Sequence, residues 1–467
     1  MRIAVLLFFL LQLSGNAFAQ SGDTLSLERF MTWIRENHPV ALQIDLQQEL
    51  ADQERRAGRG VLDPKLYGSY NEKKFSDQTY YNLQDYGLKI PTWFGIDFKA
   101  GFESNRGNYL NPQNTVPQDG LYGIGVSAPI LKDLWYNDRR ATVQKANLIA
   151  QSTRQEARIM ANRLYLEAMV AYFSWTRAEA EISLFENATE VARERFIATK
   201  RGFTTGSKPA IDTLEAHIQW QTRITSLNEA KMGLIAARNQ LNNYLWLEGE
   251  TPVELAENTH PEKDPDLLTP FGGLSTMGDS AWIESHPEIR NLEFYRDGIS
   301  IDRKVAMNNL LPELRLDYTL LNGTVTPEDP TTGWETNNYK FLATASFPLF
   351  LRKERGQLGK LSVKEEQANL KLNQKRWALK NKFNAQAGKV RLLRDQVTIV
   401  RNNARDYSSL YQAEIRKFNM GESTLFLVNS REQKTLEAYQ KLLETEWKLR
   451  IAWAELGEIM AQLPNIY

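Results

Sequence analysis

Two hydrophobic periods alternate along this chain. Leu314, Leu316, Tyr318 and Leu320 alternate with Glu313, Arg315, Asp317 and Thr319, and Tyr339, Phe341, Ala343, Ala345 and Phe347 alternate with Lys340, Leu342, Thr344 and Ser346. Nearer the N-terminus, Ile96, Phe98, Ala100 and Phe102 alternate with Asp97, Lys99, Gly101 and Glu103, and Tyr122, Ile124, Val126 and Ala128 follow the same rule. A period of two predicts strands with one apolar and one polar face. In a soluble sandwich those faces meet a core and water; in a membrane barrel they meet lipid and a wet lumen.

The second period is helical. No proline falls between Asn137 and Arg201, which predicts one helix of about 65 residues, or about 100 Å at about 1.5 Å per residue. Its counterpart is expected from about Lys353 to Met420. There Val390, Leu393, Val397, Val400, Ala404, Tyr407 and Tyr411 recur in steps of three and four, a coiled-coil seam that needs a partner helix. Each long helix ends at a glycine-containing turn, Gly202-Phe203-Thr204-Thr205-Gly206-Ser207-Lys208-Pro209 and Phe418-Asn419-Met420-Gly421-Glu422-Ser423, and a second helix runs back. The first return helix, about Ala210 to Leu247, covers half of its long partner. The opening helix, about Leu25 to Gly60, has the missing length, so the two shorter helices are expected to share the long one.

These patterns occur twice. Trp33-Ile34-Arg35-Glu36-Asn37-His38-Pro39 returns as Trp282-Ile283-Glu284-Ser285-His286-Pro287, and Pro64 through Tyr70 returns as Pro312 through Tyr318; from His38-Pro39 onward the offset is a constant 248 residues. Arg140 and Arg355, Phe203 and Phe418, and Gly206 and Gly421 share an offset of 215, so the first half carries 33 extra residues between Tyr70 and Arg140. A duplicated unit of this size is an architecture. The first repeat is expected over 20–247, with strands within 63–130 and a helical hairpin over 135–247. The second is expected over 276–467, with strands within 312–350 and a hairpin over 353–460. The proline-rich segment 248–275 joins them, either as an irregular collar near the equator of the helices or as a flexible linker. Asn105 to Gly120 and Asn322 to Asn338 read as loop tips.

Composition narrows the class. Arg2, an apolar run from Ile3 to Leu13 and Ala17-Phe18-Ala19 form a secretory signal over 1–19. Beyond it no apolar run is long enough for a transmembrane helix, so an exported chain of this kind enters a membrane only through strands closed into a barrel. Cysteine is absent, which removes disulfides, thiolate metal sites and a lipidated N-terminal cysteine. Lys plus Arg and Asp plus Glu balance at 57 each, giving no electrostatic pull toward nucleic acid. In the minimal reading each repeat supplies two strands, and about four strands are too few to close a barrel with a lumen. Copies of the chain would have to share one barrel. Tyr86 to Ser104, with Pro91 and Trp93 inside, reads either as added strands or as an outer loop.

The doubled unit, the Asn-His-Pro and Ser-His-Pro helix starts, the strand entries at Pro64 and Pro312, the strand ends Ala128-Pro129-Ile130-Leu131 and Phe347-Pro348-Leu349-Phe350, and the glycine-centred tips together resemble the TolC family of outer-membrane efflux proteins (outer membrane factors) over nearly the whole mature chain. The resemblance implies an α+β membrane protein: a trimeric transmembrane β-barrel continued by a long periplasmic α-helical coiled-coil tunnel. It implies a homotrimer in the cell outer membrane, extending into the periplasm. Such a duct is the passive exit of a tripartite efflux pump or type I secretion system, joined to a periplasmic adaptor (membrane fusion) protein and an inner-membrane RND or ABC transporter. It also implies adaptor contact at the hairpin tips, here Phe203, Gly206, Ser207, Phe418, Gly421, Glu422 and Ser423, although glycines that only terminate helices would look the same. Well-known members narrow the entrance with acidic residues six and nine positions after the second tip glycine. This chain has Leu427 and Ser430 there, and acidic Asp212 and Glu215 at the matching first-repeat positions. An entrance constriction would then draw on Asp212, Glu215, Leu427, Asn429, Ser430 and Arg431, while Asp212 and Glu215 also suit a helix N-terminus electrostatically.

No catalytic or metal chemistry competes. His38 and His286 occupy equivalent positions before proline and read as helix-start features; His217 stands alone, with no second histidine a turn away. Walker, nucleophile-elbow and His-Glu-x-x-His motifs are missing, so no enzyme, cofactor or metal site is expected. Tyr172, Phe173 and Trp175 read as packing. A soluble periplasmic coiled-coil scaffold and the pump adaptor itself are the alternatives; an adaptor carries one hairpin rather than two, and a scaffold has no use for lipid-compatible strands.

Overall fold

The computed structural model describes residues 24–248, 251–262, 281–323, 325 and 331–463. The expected signal segment 1–19 lies outside them, as does much of the connecting segment 248–275. Among the described residues no helix is long and apolar enough to cross a membrane.

A histidine followed by proline cuts each opening helix in two. Helix α1 (Leu27–Asn37) starts at Ser26, whose hydroxyl accepts the Arg29 N–H at 3.2 Å, and stops at an extended His38. Helix α2 (Pro39–Arg59) then begins with proline, at the position where a missing N–H costs nothing. His38 Nδ1 accepts the Val40 N–H at 3.2 Å, so the imidazole caps α2. The second half repeats the break: α5 (Ala281–Ser285) and α6 (Pro287–Asn308) divide at the buried His286. The opening helix expected over about Leu25 to Gly60 is thus two.

Strands β1 (Lys65–Phe75), β2 (Gln78–Pro91), β3 (Asp97–Arg106) and β4 (Leu121–Pro129) follow α2. Helix α3 (Asp138–Thr204) and return helix α4 (Ala210–Asn242) form the first hairpin. In the second half, β5 (Glu313–Asn322) and β6 (Tyr339–Ser346) follow α6 and lead to helices α7 (Arg352–Asn419) and α8 (Leu425–Ile459). The long helices are 67 and 68 residues, close to the expected length.

These six strands form one antiparallel sheet in chain order, with β1 and β6 at its edges. The minimal count of four strands is therefore corrected to six. Of the two readings of Tyr86 to Ser104, added strands is the one the structure bears out: the segment folds at Pro91, which ends β2, through a turn closed by Thr92 N–H to the Ile96 carbonyl at 3.0 Å, with Gly95 at φ +84°. Proline, which cannot donate to the ladder, sits where the ladder stops.

The chain divides into two compact units, and the long helices contribute to both. In the unit built from residues up to 46, 157–287 and 377 onward, α3 carries the core aromatics Tyr172, Phe173 and Trp175, all essentially without solvent exposure. Phe30 of α1 stacks on Tyr172 at 5.7 Å, and the Tyr172 hydroxyl donates to the Leu25 carbonyl at 2.8 Å. The packing reading of these aromatics holds. Here α7 runs against α8, with Lys389 to Glu455 at 2.8 Å and Arg401 to Glu446 at 2.6 Å. In the other unit, 47–156 and 288–376, α7 runs instead against α6, through Arg303 to Glu365 at 2.9 Å and Arg376 to Glu293 at 3.3 Å. Each long helix has different short partners along its length, as the helix lengths predict. On α7 the seam positions Val390, Val397 and Ala404 are buried.

Burial pushes the His38 imidazole below its ordinary value, and a hydrogen bond with the Asn243 backbone opposes this in part. The neutral form is the one that caps α2. The unfolded chain binds this proton near pH 6.5 while the folded chain resists it, so stability falls as pH drops below about 6.5. His38→Asn, which can cap without titrating, is expected to flatten this dependence. Thermal unfolding of detergent-solubilised protein at pH 7.5 and 5.5 checks it: the wild type should lose more Tm on acidification than the variant.

Candidate functional site

The two tips are the same motif at an offset of 215 residues. At the first, the Gly206 N–H reaches the Phe203 carbonyl at 3.0 Å and the Ser207 N–H reaches the Gly202 carbonyl at 2.8 Å. At the second, Gly421 reaches Phe418 at 3.0 Å and Glu422 reaches Lys417 at 2.9 Å. This pair of bonds is the Schellman C-cap, with glycine in the left-handed position. Gly206 and Gly421 have φ +75° and +79°, and a Cβ on either would meet nothing within 4 Å. Glycine is needed there for its backbone conformation and not for space. Thr424 caps α8 by accepting the Leu427 N–H at 3.3 Å. Lys208 lies 4.6 Å from the Phe418 ring centroid, so one tip touches the other. Ser423 donates to Glu414 at 2.5 Å. Phe203, Gly206, Ser207, Gly421 and Glu422 are exposed, while Phe418 and Ser423 are half-buried.

Of the expected constriction residues, the structure gathers some inside the protomer and leaves others outside. Asn429 is buried among the helices, donating to Glu215 at 3.0 Å and accepting from Arg195 at 2.9 Å. Arg431 is half-buried beside Glu414 at 3.7 Å. Leu427 and Ser430 are exposed, and Asp212 is half-buried in the first turn of α4. The sheltered side of this site is a polar cluster between α3, α4, α7 and α8. Arg195 holds the Glu432 carboxylate and donates to the Tyr411 hydroxyl at 2.7 Å. Arg223 donates to Gln433 at 2.7 Å and lies 3.9 Å from the same Glu432. Arg223 and Glu432 are 2% and 5% exposed, so two guanidiniums share one buried carboxylate. Burial pulls the Arg223 guanidinium below its ordinary value despite Glu432. For Arg195 the same burial is outweighed by the direct Glu432 contact and Tyr411, and its proton is held more tightly. Burial, reinforced by Glu432, raises the Tyr411 hydroxyl.

Sequence reasoning missed Arg195, Arg223 and Glu432. Each is a single charge in helices full of charges, and only Tyr411, a hydroxyl at a seam position, marked the place.

The sheet supplies the other functional surface. Register aligns Leu66, Leu88, Ala100, Ile124, Leu320 and Tyr339 in one row across all six strands, and Ile90, Phe98, Val126, Tyr318 and Phe341 in another. The opposite face carries charge: Lys99 pairs with Asp317 at 2.8 Å, Lys89 with Asp97 at 3.1 Å and Lys340 with Glu103 at 3.8 Å. Glycines keep part of this polar face flat, and a Cβ at Gly87 would come within 2.5 Å of the Tyr67 hydroxyl. Strands of 8 to 14 residues match the length that crosses hydrocarbon at a tilt.

The fold combines a membrane-length sheet that has an apolar and a charged face with two long helical hairpins, the elements of a barrel-and-coiled-coil channel fold. Residues 280–462 match the family model described as outer membrane efflux protein. No curated protein matches the sequence. Among solved structures, the fold is similar to the Campylobacter jejuni CmeC outer membrane channel at 14% identity and a TM-score of 0.64, covering 93% of this chain and 85% of that one. It is similar to VceC from Vibrio cholerae at 12% identity and a TM-score of 0.63, covering 93% and 96%. The Neisseria gonorrhoeae MtrE channel in its open state matches at 15% identity and a TM-score of 0.61, covering 93% and 88%. The second half of the chain thus matches the outer membrane efflux protein model, and the fold as a whole is similar to that of TolC-like outer-membrane channels.

Glu432→Gln would leave two buried guanidiniums without a carboxylate, a loss of about 3–5 kcal/mol. Ser430→Ala, on the exposed side of the same turn, should stay within about 0.5 kcal/mol. Denaturant unfolding, together with protease cleavage at the tips, should separate the two variants.

Proposed function

We propose that the protein is a homotrimeric exit duct of a tripartite efflux pump or type I secretion system, its two repeats (20–247 and 276–467) contributing strands to one shared barrel and helices to one tunnel. The observation that carries this reading is the sheet itself. Its apolar face is suited to lipid, yet edges β1 and β6 have no partner strand among the described residues. Unpaired backbone groups are intolerable in hydrocarbon, so other copies must supply the missing edges.

The helices ask for the same neighbours. Along α7, Val363, Leu370 and Trp377, then Leu392 and Ile399, are 60–67% exposed. Within each group they recur every seven residues, the repeat of an unfilled coiled-coil seam. Leu370→Asp combined with Ile399→Asp is expected to convert the detergent-extracted trimer to monomer, read by light scattering corrected for bound detergent. A wild-type mass below that of a trimer would overturn the homotrimer.

In this reading the tips form the periplasmic entrance and receive a periplasmic adaptor that links the duct to an inner-membrane RND or ABC transporter. Phe203, Met420 and Phe426 are exposed apolar side chains beside the two Schellman turns, and Ser207 and Glu422 supply polar neighbours. Leu427, Ser430 and Asp212 are the side chains left to narrow the entrance, since Asn429 is occupied inside the protomer. A photo-crosslinker placed at Phe203, Ser207 or Glu422 in cells should capture a periplasmic adaptor, identified by mass spectrometry, and one placed at Leu370 should capture only the chain itself. The adaptor contact fails if the tip positions yield only self-crosslinks.

A further inference from the structure

The second repeat builds its part of the sheet from two strands, and the first uses four. Strands β1 and β5 both follow the short opening helices, and β4 and β6 both lead into the long ones, so β2 and β3 are the pair without a counterpart. They account for the extra length of the first repeat, which lies between Tyr70 and Arg140.

The added hairpin is part of the wall. It pairs over its length with β1 on one side and β4 on the other, and the apolar rows run through it without interruption from Leu66 through Leu88 and Ala100 to Ile124. Its turn at 92–96 is fastened to the start of α3. Asn137 donates to the Trp93 carbonyl at 3.1 Å, Arg139 to the Thr92 carbonyl at 3.4 Å, and Arg140 lies over the Trp93 ring at 5.4 Å. Asp97, 1% exposed, joins the hairpin to its surroundings through Arg139 at 2.6 Å and Arg315 of β5 at 3.9 Å, and ties its two strands together through Lys89 at 3.1 Å. A peripheral flap would have neither the continuous faces nor a buried carboxylate at its root.

Because strands alternate in direction, β1 and β6 of a six-stranded sheet run antiparallel, so β6 of one copy can pair with β1 of the next in the geometry used throughout the sheet. We propose that a second copy of this chain occupies each edge in this way, and that three copies therefore close an eighteen-stranded barrel. This rests on the trimer reading given above. At a strand spacing of about 4.8 Å and a tilt of about 40°, eighteen strands give a backbone diameter of about 36 Å, against about 24 Å for twelve. The outer-membrane section is then a wide mouth, and selection of cargo by size falls to the tip end of the duct.

Cryo-electron microscopy of the full-length protein in lipid nanodiscs tests this. Eighteen strands around a three-fold axis is the expected result. A trimer with twelve strands and residues 78–106 outside the wall would overturn this inference alone, whereas a particle without three-fold symmetry would overturn the trimer and this inference with it. Deleting 78–106 should leave a trimer whose barrel is two-thirds as wide, since Leu66 would then face Ile124 on the same apolar face. An unchanged diameter would refute the proposal. Should the deletion not fold, engineered disulfides decide in the otherwise intact, naturally cysteine-free chain. Leu66→Cys with Leu88→Cys should form a disulfide within a copy, and Leu66→Cys with Ile124→Cys should not, because β2 and β3 stand between them. A Leu66→Cys to Ile124→Cys disulfide within a copy would place 78–106 outside the wall and overturn the proposal.

Discussion

Every feature of this protein answers to one constraint: in hydrocarbon, a backbone N–H or C=O without a partner costs several kilocalories per mole, and only helices or closed sheets avoid it. No helix among the described residues is apolar enough to cross, and in the reading proposed above the six-stranded sheet is what meets the bilayer. Its inner ladder is complete, and its edges are not. In the proposed trimer, a sheet whose edges have no partner strand among the described residues would tie membrane insertion to assembly. The exposed heptads of α7 place the same demand on the helices, which is why strand edges and helix seams belong to one argument about copies of the chain.

Charge is handled differently at the two functional surfaces. On the polar face of the sheet, ion pairs such as Lys99 to Asp317 remain partly exposed, in keeping with a wet lumen where such pairs contribute little to stability. Near the tips, Arg195, Arg223 and Glu432 are sealed between four helices. There a buried carboxylate sets the spacing of the helices more than it adds net stability, because its desolvation offsets much of its attraction. The tip turns are held by Schellman backbone bonds and by side-chain bonds from Thr205, Ser207, Ser423 and Thr424, while Phe203, Met420 and Phe426 stay exposed.

Much of this was legible in the sequence, and the parts that were not have physical reasons. Alternation at Leu314 to Leu320 or Phe98 to Phe102 identifies strands because a sheet with two different solvents on its faces has no other way to be encoded. The long helices are legible from uninterrupted helix formers, and the Schellman tips from glycine at the same place in both repeats. The histidine breaks were half visible: proline marks the first residue of the new helix, but the imidazole cap at His38 depends on a side-chain rotamer. The inserted hairpin was ambiguous because Pro91 and Trp93 can sit either in a loop or at the end of a strand, and only the register of β2 against β1 and β3 decides. The cluster around Glu432 was invisible, since a buried salt bridge joins residues far apart in sequence and a helix pattern does not say which of many charges faces inward.

The duplication also explains why an insertion of this kind can be accommodated. Adding one strand to a repeat would reverse the direction of everything after it and send the following helix to the wrong side of the membrane. Adding two leaves each strand's direction and each helix's exit unchanged, and the apolar face survives if the new strands keep the row of their neighbours, as Leu88 and Ala100 do between Leu66 and Ile124. The cost falls at the turn between the new strands, which arrives among the helix starts and must be satisfied there. Asn137, Arg139 and Asp97 meet that cost with side-chain bonds to a turn that has no equivalent in the second repeat. In the proposed eighteen-stranded assembly, barrel width is thus a property that can change in steps of two strands per copy, without altering the helices that follow in the chain.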